Sequence, residues 1–181
     1  FIIDLWIWIA LGLSVWLSLR RERAGAATWT RPAWVGFTAV CGYILLNGAI
    51  TGIAERDIAA ALRAAGHRDA LVVASPPPLT FWKRDVFWRT ADRYGSASFG
   101  LGAGGNIDIG GQPTGMDDPR LAAWVRANPQ AQAFLFWSRM PVAESISDEI
   151  RLRDQRFMHP LAADRFMVHL SAPDTASYPP E

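Results

Sequence analysis

The side chains best suited to polar chemistry sit in two short stretches of this 181-residue chain. Ser138-Arg139 and Asp154-Gln155-Arg156-Phe157 bring a hydroxyl, a carboxylate and two guanidinium groups to segments that read as neighbouring strands. An Asp and an Arg on adjacent strands can pair across a sheet. The commoner outcome of such a pattern is a structural ion pair rather than a site.

Other patterns carry less. His67, His159 and His169 have none of the short spacings of a helical or hairpin metal site, and no second cysteine joins them. They read as surface or turn histidines, so no metal ligand is assigned within this chain. Gly100-Leu101-Gly102-Ala103-Gly104-Gly105 matches GxGxxG as a string, but the residues after it do not open a helix, as a dinucleotide site requires. It reads as a glycine turn. Neither GxSxG nor HExxH occurs. Cys41 is the single cysteine, lies in an apolar run and reads as a small hydrophobic filler. The net charge is +1, with Arg interleaved among Asp and Glu, so no nucleic-acid partner is expected.

The elements that position these residues differ sharply along the chain. Mean hydropathy is only +0.07, but nearly all the uninterrupted apolar sequence lies in residues 1–54. Residues 1–19 and 33–54 are each long enough to suggest a transmembrane helix, separated by a basic loop. Trp6, Trp8, Trp29 and Trp34 lie near the span ends, where indoles favour the interface. Arg20, Arg21, Arg23 and Arg31 outweigh Glu22 in the loop. The positive-inside rule therefore places the loop in the cytoplasm and the chain from residue 55 onward on the outer side. Asp4 is expected to cap the first helix, and Asn47 to bond a neighbouring helix. The chain enters apolar sequence at Phe1 without a basic leader, which suggests the interior of a longer polypeptide.

Residues 55–172 read as a soluble α+β domain with a mostly antiparallel sheet, and residues 173–181 as a flexible tail. Residues 55–65 form a short amphipathic helix, and 71–74 a buried strand. Two strands are expected at 84–93 and 95–101, with a bend at Tyr94-Gly95. Residues 106–115 form a turn-rich loop. Asp118-Pro119 starts a helix that Asn128-Pro129 ends. A strand is expected over 132–146. Ile150 and Leu152 then alternate with Arg151 and Arg153, and Phe166, Val168 and Leu170 with Met167 and His169, as in half-exposed strands.

Several of these stretches share a pattern with a known family. Ala74-Ser75-Pro76-Pro77-Pro78-Leu79-Thr80-Phe81-Trp82-Lys83-Arg84 resembles the Pro-x-Pro then Trp-Arg segment of the LexA-binding, inner-membrane-associated hydrolases, also called membrane-bound metal-dependent hydrolases. Lys83 interrupts the Trp-Arg pair here. Residues 134–141 are similar to that family's Phe-Leu-x-x-Ser-Arg-x-Pro, and residues 154–157 to its Asp-x-Arg-Phe. Phe1-Ile2-Ile3-Asp4 resembles its entry into a late span, with Leu5 where proline is usual. The resemblance covers most of the chain in order. It implies the C-terminal part of a bacterial inner-membrane hydrolase whose divalent metal is held by earlier helices, outside this segment. The lipid bilayer and those upstream helices would then be its partners. Trp82, Arg84 and Ser138 would be binding residues, and Arg139, Asp154 and Arg156 catalytic candidates, on a rim over the membrane-side site. The alternative is a non-catalytic extracytoplasmic domain that binds a partner or stabilises the membrane half.

Overall fold

In the computed structural model, residues 4–77, 79–158 and 166–172 are described. The chain divides into two compact units. One comprises Phe1–Ala64, Val72–Val86 and Ala97–Ile107, and the other Ala65–Leu71, Phe87–Ser96 and Asp108–Glu181.

The first unit is built on two helices, α1 (Leu5–Arg23) and α2 (Arg31–Ala64). They pack on each other through small residues. Ser14 and Ser18 of α1 and Gly36 of α2 are buried, and the Ser18 Oγ accepts the Ala33 N–H at 3.0 Å. A side chain at Gly36 would collide with Ser14, so glycine is what permits the close approach. The large apolar residues Trp8, Leu13, Val15, Trp16, Trp34, Val35, Phe37, Ile44 and Leu45 instead point outward and are exposed.

The expected pair of spans reduces to one. Asp4 caps α1 as expected, its Oδ1 accepting the N–H groups of Trp6 and Ile7, so the helix begins at Leu5. Residues 1–3 of the expected first span lie outside the described residues. The helix also runs on through Arg20, Arg21, Glu22 and Arg23. Its apolar part, residues 5–19, is therefore only about 22 Å long at ~1.5 Å per residue, short of a hydrocarbon core of ~30 Å. Among the described residues, α2 alone is long and apolar enough to cross a membrane, with a mean hydropathy of 1.6 over its best stretch. A mixed α/β part comes after it.

The second span and the amphipathic helix expected over 55–65 form one element, α2, which runs through Glu55 to Ala64. Ile50, Ala54, Ile58 and Leu62 recur every fourth residue, and all are almost fully buried. From Asn47 onward one face of α2 is thus covered by protein. At Gly105 of β4 (Gly104–Ile107) an added Cβ would run into the Ile58 side chain.

The strands form two sheets rather than one. β1 (Leu71–Ser75), β2 (Lys83–Arg89), β3 (Arg93–Gly100) and β4 lie in that order, with β5 (Gln112–Pro113) also on β3. The bend between β2 and β3 falls at Thr90–Asp92, not at Tyr94-Gly95. It is closed by the Thr90 N–H donating to the Arg93 carbonyl and by Thr90 Oγ1 donating to Asp92. The C-terminal half of β3 pairs with β4 in the first unit, and its N-terminal end with β5 in the second. β6 (Pro141–Ile146), β7 (Glu149–Asp154) and β8 (Met167–Ser171) form an antiparallel sheet with β6 and β8 at its edges.

In the second unit, α3 (Leu121–Ala127) and α4 (Pro129–Trp137) cover one face of that sheet. Leu121, Ala131 and Phe134 pack there against Ala143, Ile150, Leu152 and Leu170. The strand expected over 132–146 is therefore half helix. Asn128 ends α3 and at once caps α4, its Oδ1 accepting the N–H groups of Gln130 and Ala131, with Pro129 at the first helical turn. The tail from 173 and His159 lie outside the described residues.

Candidate functional site

The second unit gathers four of the candidates into one network. Asp154 ends β7 and is fully buried. Its Oδ1 accepts the Arg156 backbone N–H at 3.0 Å and Nε–H at 2.9 Å. Its Oδ2 accepts from Arg156 Nη2 at 2.7 Å, Ser138 Oγ at 2.8 Å and the Arg139 backbone N–H at 3.2 Å. The expected pairing across strands is replaced by a local one. Arg156 belongs to the 3-10 turn Gln155–Phe157 that comes after β7, and Ser138 and Arg139 to the bend between α4 and β6. The Arg139 side chain is exposed and contributes only its backbone.

The electrostatics arise from the contacts. Burial pushes the Asp154 carboxyl up, but the bonds from Arg156 and Ser138 outweigh it and hold its pKa below the usual carboxylate value. The Arg156 guanidinium is shifted up in turn by its bond to Asp154. A carboxylate offers about four lone-pair directions, and five donors already converge on this one. Asp154 is an ionised, saturated acceptor and has no free oxygen to take a proton from a substrate.

Trp82 and Arg84 lie in the first unit. Trp82 is half exposed, its ring edge-on to Phe81. Arg84, in β2, is 1% exposed. Its Nε donates to Thr51 Oγ1 at 2.9 Å, Nη1 to the Phe81 and Lys83 carbonyls at 2.6 Å each, and Nη2 to the Asn47 carbonyl at 2.9 Å and Oδ1 at 3.0 Å. All five donors of the guanidinium are used, every one on a neutral acceptor. Asn47 and Thr51 belong to α2, so Arg84 stitches β2 to the middle of that helix. Burial draws its pKa below the ordinary arginine value. Asn47 thus bonds a strand, and through Nδ2 the Tyr43 carbonyl of its own helix, rather than a neighbouring helix.

A feature not foreseen from the sequence is a cleft of about 580 Å³ in the second unit, beside β6. Arg153 lines it. The alternation over residues 149–154 already put Arg153 on the sheet's polar face, but the register that sets it opposite Val142 is a property of the fold.

Among the described residues, no group of three or more His, Cys, Asp or Glu is placed to hold a metal ion. The resemblance places its divalent metal on helices upstream of this segment, so the residues described here bear on the fold around such a centre and not on its ligands. No family model, curated protein or solved structure matches the chain.

Proposed function

We propose that this chain is a membrane-associated, non-catalytic α/β module that stabilises or recruits a partner, with α2 as its anchor. The observation that carries this reading is that the two buried charges of the candidate set, Asp154 and Arg84, are wholly consumed by internal hydrogen bonds. Groups spent in this way hold segments together; they are not available to a substrate. The long apolar helix supports attachment to a bilayer. The arginines of the preceding loop favour a cytoplasmic loop and an extracytoplasmic α/β part in a bacterial inner membrane.

The second reading is the C-terminal part of a membrane-bound metal-dependent hydrolase, with its metal held by upstream helices. In its favour, the Ser-Arg and Asp-x-Arg-Phe segments, well apart in sequence, meet in one network. Metal analysis of the purified full-length protein, with hydrolytic activity measured for it and for Arg139→Ala, separates the two readings, because the Arg139 side chain lies outside that network. The non-catalytic reading expects no bound metal and no activity for the variant to lose. Bound metal, with an activity that Arg139→Ala lowers while folding is intact, would instead favour the hydrolase.

A further inference from the structure

The cleft beside β6 is walled by, among others, Tyr94, Asp117, Val142, Glu144, Arg153 and Met158. Its volume falls within the range of small-molecule sites. What sets it apart is an arginine whose donors are only loosely held. Arg153 Nη2 reaches only the Met167 sulfur at 3.8 Å, and Nη1 stands 3.8 Å from Glu144 Oε2. Its buried Nε has no partner among the described residues. Arg84 and Arg156 show what a settled guanidinium looks like in this protein, and Arg153 is not one. A planar fork held only by these two long contacts fits a carboxylate in two-point contact.

The surrounding charge narrows the ligand. Asp117 and Glu144 are exposed on the walls and repel a dianion, but they favour a ligand that also carries a positive group. Asp118 does not compete, because Arg120 and Ser145 hold it. Val142, Met158 and the Tyr94 ring offer apolar surface for the rest of the ligand. The floor is kept in place at Gly115, whose φ of +64° and contact with the Ala143 carbonyl leave no room for a side chain. The Thr114 carbonyl accepts the Ala143 N–H there, at 2.8 Å.

We propose that this cleft binds a zwitterionic ligand of the amino-acid or short-peptide class, with its carboxylate on Arg153 and its ammonium group toward Asp117 and Glu144. The test titrates the full chain in detergent micelles with the dipeptide Leu-Leu and monitors the arginine Nε–H resonances by NMR. Expected is a saturable shift of the Arg153 signal. The doubly capped dipeptide should not produce it, and R153Q should weaken binding about tenfold or more, as loss of a two-point charged contact does. E144Q should tighten binding of N-acetyl-Leu-Leu, which carries the carboxylate alone, by about threefold, the scale of one loose ion pair. This second variant decides the matter if R153Q does not fold. The proposal is overturned if Leu-Leu causes no shift or if the capped dipeptide binds equally well. It is also overturned if inorganic phosphate binds as tightly as the dipeptide, which would mark a general anion site, or if E144Q leaves N-acetyl-Leu-Leu unaffected.

Discussion

Arg156 holds Asp154 at two points, Nε to Oδ1 at 2.9 Å and Nη2 to Oδ2 at 2.7 Å, from only two residues away. The pair is local, but its effect is not. The same carboxylate takes the Ser138 hydroxyl and the Arg139 N–H, so it fixes the exit of α4 against the end of β7. The Gln155 N–H donates to the Met140 carbonyl beside it, and Gln155 Nε2 to the Gly95 carbonyl.

Asp154→Ala should therefore destabilise the protein strongly. It leaves the part-exposed Arg156 guanidinium, the Ser138 hydroxyl and two backbone N–H groups without their acceptor, a loss on the order of 2–3 kcal/mol. Ser138→Ala removes a single donor and should cost about 1–2 kcal/mol. Thermal unfolding monitored by tryptophan fluorescence ranks the two. Equal and small effects would contradict a load shared across this network.

The same carboxylate sets a pH dependence. Its folded pKa lies below that of the unfolded chain, so its stabilisation is complete above the ordinary Asp value of about 3.9 and is lost as pH falls toward the lower folded value. Asp118 shifts the same way, held down first by its bond from the Arg120 side chain and then by Ser145. The melting temperature should fall steeply below about pH 4. In Asp154→Asn the curve should be flatter over that range and lower above it. A wild-type curve already flat there would mean that these carboxylates titrate normally in the fold.

How much of this was legible in the sequence depends on the range of the interaction. The Asp4 cap and the alternation over 149–154 and 166–170 are local, and both were readable. α4 was missed because Asn128-Pro129 ends one helix and starts another with the same two residues. The apolar stretch of α1 is shorter than the count over 1–19, because the helix begins after the Asp4 cap and ends in the charged residues Arg20–Arg23. Arg84 gave no local sign of burial. Its acceptors Asn47 and Thr51 lie more than thirty residues upstream, and only the docking of β2 on α2 brings them within reach. Asp154 was readable as a candidate, but its saturation by five donors was not, since three of its contacts involve backbone N–H groups or a residue in another segment.

The α1–α2 contact depends on the absence of a side chain at Gly36, where Ser14 already fills the space. Gly36→Leu should push the helices apart and break the Ser18–Ala33 hydrogen bond one turn away. The connecting residues 24–30 should then be cut by protease faster than in the native chain, several-fold at matched temperature, because local opening becomes easier. Gly48→Leu, with open space at its Cβ position, is the control and should leave cleavage unchanged. Similar cleavage of both variants would show that the helices do not rely on this contact.

Arg84 offers the sharpest test of what joins β2 to α2. Lysine keeps the charge but has three donors on one atom, so it cannot reach acceptors spread over Asn47, Thr51, Phe81 and Lys83. Arg84→Lys should cost on the order of 3 kcal/mol, because a buried charge keeps its desolvation penalty while losing most of its bonds. Asn47→Ala alone should cost less, since it removes one acceptor and leaves the Asn47 carbonyl in place. The double variant should be less destabilised than the sum by about 0.5–3 kcal/mol, the scale of coupling between residues in one network. Chemical unfolding in a fixed detergent measures all three. Strict additivity would mean that the Asn47 side chain and Arg84 act independently, and that the guanidinium does not rely on the Asn47 Oδ1 contact.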